Sequence, residues 1–267
     1  MDNLYHKIFC RNIGIFTESE QDKLRNATIA IAGAGGVGGL LAERLVRVGV
    51  GQLKIIDPEA FEESNLNRQF SSSMLNLGRN KAEAVFTQIK DINPQAKIYY
   101  SNTGITTEED ASLLVNECDL VIDEMDFGLF KESVLLQRAA RRRGIYYIFT
   151  SALGFGALIA IFNPQGFTIE EYNNLPPDVD LNGVEQLMVP LDRICPVMPS
   201  YAPVDVIQEI ISGKRPVPTV SIGVGLASVL AANEAVNIIL GRRDIATAPK
   251  YTYIDLLDRK FIVGTIS

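Results

Sequence analysis

Thr28-Ile29-Ala30-Ile31-Ala32-Gly33-Ala34-Gly35-Gly36-Val37-Gly38 is the stretch that decides the fold. A short β-branched apolar run, then glycines, then Val37, Leu40, Leu41, Leu45 and Val48 at three- and four-residue spacing read as strand, tight turn and amphipathic helix. Leu53 to Ile56 follows as a second strand ending in Asp57 and Pro58, which closes a βαβ unit. Glycines in such a turn let the backbone approach a phosphate, and the helix N-terminus offers N–H groups to an anion. Asp57, 24 residues after Gly33, falls where a carboxylate can accept hydrogen bonds from ribose hydroxyls. The G-x-G-x-x-G spacing of Gly33, Gly35 and Gly38 thus points to a nucleotide without choosing between ATP and NAD.

Outward from this unit, helices and strands keep alternating. Helices are predicted over 81–92, 108–116 and 129–143, and strands over 97–100, 120–123, 146–149 and 157–162. The economical architecture is a Rossmann-like α/β fold, a mostly parallel sheet with helices on both faces. After Phe162 the periodicity fails, and nine of the twelve prolines lie between Pro164 and Pro218. A long loop excursion of this kind serves a site or a partner more often than a core. A helix over 219–240 and antiparallel closing strands over 251–256 and 260–263 restore regularity. The chain reads as one domain, 1–267: a core at 26–162, a Pro-rich loop region at 163–218, and a closing helix and strands at 219–264.

The bulk numbers narrow the function classes. A hydrophobic fraction of 47% and a charged fraction of 21% are those of a globular chain with ample core material. A formal net charge of -7 argues against a general nucleic-acid binder. The run Arg138, Arg141, Arg142 and Arg143 ends a predicted helix, where cations offset the dipole. Cys10, Cys118 and Cys195 form no C-x-x-C pair, so no zinc site is expected, and a reducing, cytoplasmic setting fits. The first residues lack the pattern of a signal peptide. The apolar stretch Val220 to Leu240 is broken by Asn233, Glu234 and Asn237 and reads as a core helix rather than a membrane span.

Chemistry enters downstream of Asp57, with Asn65-Leu66-Asn67-Arg68-Gln69, then Gly78-Arg79-Asn80-Lys81, then Asp123-Glu124-Met125-Asp126. Hydride transfer gives no reason for this set. Nucleotidyl transfer does, because a triphosphate needs cations as the bond to pyrophosphate breaks and carboxylates to hold magnesium. The strings GAGGVG, IID, SNLNRQ, GRNKAE and VIDEMD, in this order, resemble the ThiF/MoeB/ubiquitin-activating superfamily over roughly Asn12 to Tyr147.

The resemblance implies an ATP-dependent adenylyltransferase that activates a carboxylate as its acyl-adenylate. It places the phosphates on Gly33, Gly35, Gly36 and Gly38, the ribose on Asp57, phosphate contacts on Asn65 and Arg68 with Gln69 in support, the α-phosphate region on Lys81, and magnesium on Asp126. Arg68, Lys81 and Asp126 would be catalytic; Asp123 either joins them or caps its strand. A carboxylate is already ionised at neutral pH, so alignment and charge stabilisation suffice. That agrees with a single histidine, His6, placed before the first core strand.

Relatives commonly form homodimers in which an N-terminal Arg reaches the other subunit's nucleotide, and Arg11 resembles that residue. Some pass the acyl group to a cysteine, for which Cys195, in the Pro-rich loop, is the candidate. Two departures stand out: Phe127 follows Asp126 where many relatives have Asn, and their zinc-binding cysteine pairs are absent. The implied partner is a small carrier protein or peptide with a free C-terminal carboxylate, docking on 163–218. A dehydratase of a modified tRNA nucleoside is an alternative within the same chemistry, and Lys131 is similar to its pattern. An NAD-dependent oxidoreductase and a nucleotide-binding scaffold are alternatives outside it.

Overall fold

In the computed structural model, residues 3–181, 193, 195–212 and 214–266 are described. The expected Pro-rich region is covered in part, with 182–192, 194 and 213 outside the described residues.

Before the first strand the chain forms α1 (Asn3–Phe9) and α2 (Glu18–Asn26). Thr17 caps α2 in a capping box with Glu20, each side chain taking the other's backbone N–H. The hydroxyl of Tyr5 in α1 donates to the Gly49 carbonyl oxygen at 2.7 Å, tying this segment to the body.

Alternation along β1 (Thr28–Ala32) sends Ile29 and Ile31 into one buried core and Ala30 and Ala32 into another, as the two-residue period of a strand requires. A strand buried on both faces needs helices on both sides. The first core is closed by α3 (Gly36–Val48), α4 (Lys81–Ile92) and a long late helix. The second is closed by α5 (Glu108–Val115), α6 (Phe130–Arg143) and the short α7 (Ile169–Tyr172). Leu45 of α3 is fully buried, and truncating such a residue to Ala costs about 2–5 kcal/mol.

With β2 (Gln52–Ile56), β3 (Lys97–Ser101), β4 (Leu120–Asp123), β5 (Tyr146–Leu153), β6 (Gly156–Phe162), β7 (Lys250–Asp255) and β8 (Lys260–Thr265), the sheet order is β3-β2-β1-β4-β5-β6-β7-β8. The strands from β3 to β5 pair in parallel. β6 departs from the sequence reading, which placed 157–162 in the parallel run. Its pairing with β5 is antiparallel because only Gly154 and Phe155 separate the two, a link that makes a hairpin and cannot make a crossover. β7 and β8 continue antiparallel, as expected.

Within the Pro-rich region, α8 (Val204–Ile211) interrupts the loop. The apolar stretch at 220–240 forms α9 (Ser221–Leu240), long and apolar enough to cross a membrane by length and composition. Its Val224, Ala227, Leu230, Ala231 and Ala235 are buried, the last four in the first core, which makes it the core helix expected. From β1 the chain moves outward through β2 and β3, then returns to β4 on the other side. This switch point opens a crevice at the C-terminal ends of β1 and β4.

Candidate active site

The glycine turn fills that crevice. Gly33 has φ +97°, and a Cβ there would run into the Glu124 carbonyl oxygen beyond β4. A Cβ at Gly38 would run into the carbonyl oxygen of Gly33. The turn is therefore as tight as the sequence required, and the backbone lies bare to a ligand. Gly35, the N-cap of α3, has no side chain to satisfy the first N–H groups of the helix, which leaves them for an anion.

Asp57 stands at the end of β2, 6% exposed. Its Oδ2 accepts from the Ala34 N–H at 2.7 Å and its Oδ1 from the Glu59 N–H at 2.8 Å, so it braces the turn as well as facing the crevice. Burial pushes its carboxyl up, while the two N–H groups and Lys81 pull the other way. Lys81, the first residue of α4, is buried to 5% and ion-paired with the exposed carboxylate of Glu59. That partner was not anticipated; its only sequence signal is an acid two residues after Asp57. Asn80 joins the same cluster, donating from Nδ2 to the Asp57 carbonyl oxygen at 2.8 Å.

The loop before α4 brings the SNLNRQ string against the turn. A Cβ at Gly35 would lie 3.5 Å from Gln69 Nε2, and Gln69 Oε1 is buried with no hydrogen-bond partner among the described residues. Arg68 donates through Nη1 to the Ser64 carbonyl oxygen and to Asn67 Oδ1, both at 3.0 Å, which parks the guanidinium at the rim. Asn65 is buried, and its Oδ1 accepts from the Glu62 N–H at 3.1 Å, shaping the 3-10 turn at Glu63–Asn65. Among the described residues its Nδ2 keeps only a 3.4 Å contact with Ser64 Oγ.

At the end of β4, Asp123 is fully buried and accepts from the Met125 N–H at 2.9 Å and from the hydroxyl of Tyr147. Thr150 donates to Glu124. Burial pushes both carboxyls up, that of Glu124 strongly. The pairing of β4 with β5 makes this network, and residues 24 and 26 apart give no local sign of it. Asp126 follows, exposed, with no hydrogen bond to its side chain among the described residues.

Two expected site residues have surroundings of their own. Asn12 donates to the carbonyl oxygen of Val48, so the exposed Arg11 stands at the C-terminal end of α3, roughly 20 Å along the helix from Gly36. At that distance its side chain does not reach the glycine turn of this chain. Cys195 packs against Leu153, Leu158, Tyr251 and Tyr253; its thiol donates to the Val197 carbonyl oxygen at 3.2 Å, and burial pushes it up to about 11. One contact was not anticipated at all: Val224 of α9 presses on Gly36, 3.2 Å from where its Cβ would be.

The profile of the ThiF family matches residues 9–265. The chain belongs to the ThiF family. The match extends well past the part whose motifs carried the resemblance, through the Pro-rich region to β8. Among curated proteins, this ThiF-family chain is 32% identical over 123 residues to the tRNA threonylcarbamoyladenosine dehydratase of Bacillus subtilis (strain 168), covering 46% of this chain and 48% of that protein. It is 36% identical over 115 residues to ubiquitin-like modifier-activating enzyme 5 of Culex quinquefasciatus, covering 43% and 28%. With a probable adenylyltransferase/sulfurtransferase MoeZ of Mycobacterium tuberculosis (strain CDC 1551 / Oshkosh) it shares 30% identity over 161 residues, covering 59% and 40%. The matches thus span about half or less of these relatives' length.

Among solved structures, PaaA superimposes with a TM-score of 0.75 at 17% identity, over 100% of this chain and 75% of that one. E. coli MccB with ATP gives 0.74 at 20%, over 100% and 72%. At such identities the likeness establishes the α/β fold with its antiparallel C-terminal strands.

Proposed function

We propose that this chain binds ATP on the Gly33–Gly38 turn and transfers its AMP to a carboxylate, most simply the C-terminus of a small carrier protein or peptide. One observation carries the reading: Asp57, Gln69 and the main chain of Glu124 converge on one glycine turn at the switch point, with Lys81 tied to the same cluster. In this arrangement the ribose sits on Asp57, and the phosphates lie over Gly33, Gly35, Gly36 and Gly38 with Arg68, Asn65 and Gln69 beside them. Lys81 leaves Glu59 for the α-phosphate. A carboxylate oxygen attacks the α-phosphorus, the bond to the leaving oxygen breaks, and pyrophosphate departs. Arg68 and Lys81 stabilise the charge that develops. A magnesium ion carried by a triphosphate needs only one or two protein carboxylates, and the unengaged Asp126 suits it; bound there, the ion would neutralise phosphate charge.

The position of Arg11 at the far end of α3 supports its acting on a partner subunit, in a homodimer. A thiol with the surroundings of Cys195 is protonated at neutral pH, so acyl transfer to it requires the loop to move first.

A second reading, adenylation as the opening step of tRNA-nucleoside dehydration, is supported by the likeness to two dehydratases. Exchange of labelled pyrophosphate into ATP separates them: peptide-dependent exchange favours the first, tRNA-dependent exchange the second. Exchange with neither, together with NAD binding, sinks both.

A further inference from the structure

We infer that the outer face of α9 is where a second copy of this chain docks, its own α9 lying antiparallel against the first and centred near Val229. The inference deepens the homodimer reading above by assigning its interface. Ile222, Leu226, Val229, Asn233 and Val236 recur at alternating spacings of four and three, the repeat with which two helices mesh side by side. They lie on the side of α9 turned away from its buried residues. Ile222 and Val229 are 48% and 43% exposed, Asn233 is exposed, and Leu226 and Val236 are half-buried. Gly225 shares this face, with nothing within 4 Å of where its Cβ would be. A helix at the surface of a single chain keeps its outer face polar. This one has a single charged residue, Glu234, whose carboxylate is paired with Arg243.

A two-fold pairing sets a residue on its axis against itself. With Val229 there, Ile222 of one copy faces Val236 of the other, and no charge in the stripe meets its own like. The antiparallel direction follows from what each end of α9 carries. Just past its C-terminal end, Arg242 donates through Nη2 to the Ile15 carbonyl oxygen at 2.6 Å and pairs with Glu20, which fixes there the segment that holds Arg11. At its N-terminal end Val224 presses on Gly36, and the Thr219 carbonyl oxygen accepts from Asn67 Nδ2 at 3.2 Å, beside Arg68. Within one chain, a helix of 20 residues keeps these two groups roughly 30 Å apart. Antiparallel packing closes that gap between chains, and symmetry closes it twice. Each N-terminal segment then meets the rim of the other copy's glycine turn. The exposed Ile15 and Phe70 extend the contact beyond the stripe, toward the roughly 800 Å² per partner that stable interfaces bury. A parallel pair would set each end against its own copy and bring no Arg11 to either turn.

The test is analytical ultracentrifugation of the parent chain, Val229→Glu and Val229→Arg at micromolar concentration. The parent is expected to be a dimer and each variant a monomer, its dissociation constant raised at least about a hundredfold by like charges meeting on the axis. An equimolar mixture of the two variants should dimerise again, a rescue that misfolded chains cannot give. Mixing Arg11→Ala with Lys81→Ala, each impaired alone, should return pyrophosphate exchange to about a quarter of the parent rate, because half the dimers are mixed and each mixed dimer has one complete site. Dimers in both Val229 variants overturn this interface and leave the homodimer reading standing; a monomeric parent overturns both. No return of exchange in a mixture that dimerises overturns the antiparallel direction. A monomeric parent that loses peptide-dependent exchange on Val229→Glu gives the stripe to the substrate instead and likewise overturns the inference. Sedimentation decides the interface whether or not adenylation holds.

Discussion

Asp57→Ala removes a carboxylate from the junction of β1 and β2, and its two effects separate cleanly. The Ala34 N–H loses the acceptor 2.7 Å away, and since Ala34 is fully buried no water replaces it, at about 1–3 kcal/mol. The Glu59 N–H, on an exposed residue, finds water at little cost. Burial disfavours the charged carboxylate, so deleting it returns part of the loss. A net destabilisation of about 1–2 kcal/mol lowers the melting temperature by roughly 2–8 °C in a chain of this size. With the ribose on Asp57, the variant also loses hydrogen bonds to a charged acceptor worth about 1.5–3 kcal/mol each, and the dissociation constant for ATP rises at least about tenfold. Asp57→Asn keeps one oxygen for Ala34, so it should recover most of the stability and little of the affinity. Calorimetry with ATP and a thermal melt read the two quantities. A folded Asp57→Ala with unchanged ATP affinity puts the ribose elsewhere; an unchanged melting temperature removes the bracing role.

Arg68→Ala and Lys81→Ala should each lower the rate of pyrophosphate exchange by about a hundredfold or more, with little change in melting temperature, since Arg68 sits at the rim and Glu59 remains solvated without Lys81. Retained exchange in either would remove that residue from the chemistry. Cys195→Ser should leave exchange unchanged, and iodoacetamide should label Cys195 slowly at pH 8, where a thiol pushed up to about 11 is roughly one part in a thousand thiolate. Rapid labelling, or a thiol-sensitive adduct after ATP and substrate, would instead point to a thioester. Arg242 and the Thr17 N–H hold Glu20 at about 2, below its ordinary 4.5, so this contact stabilises the fold fully above the ordinary value and is lost as pH falls through about 2. Glu20→Gln should therefore melt below the parent chain at pH 6, and the gap should close toward pH 2; a constant gap would mean that the charge is not what matters.

The alternating elements from β1 to β5 were legible because strand and helix each carry their own period, and every turn between them is local. α2 escaped the same reading: it buries only Gln21 and Leu24, too few for a helical stripe, although Thr17 and Glu20 announce its start. α8 was hidden by flanking prolines, and the reversal of β6 by reading strands without weighing the two-residue link before it. At the site, Asp57, Gln69 and the Glu124 main chain meet at the turn with Lys81 tied to them, while Arg11 stands at the other end of α3. What the motifs could not show is which protein groups those side chains contact. Glu59 on Lys81 and the Ala34 N–H on Asp57 are contacts made by tertiary structure, which no spacing rule encodes. Phe149 of β5, Phe162 of β6, Phe130 of α6 and Tyr172 of α7 line one small cleft, a juxtaposition only the folded sheet creates.

The press of Val224 on Gly36 ties the phosphate turn to a helix that emerges roughly 190 residues later in synthesis. At typical elongation rates that interval is roughly 10–40 s. Throughout it the nascent polypeptide already carries every glycine of the turn and soon gains α4 beside α3, but lacks the helix whose Val224 presses on Gly36. A ribosome-bound fragment ending before Ser221 should thus bind nucleotide poorly. With ATP on this turn as proposed, the nucleotide site matures late, and a truncated product would bind ATP poorly.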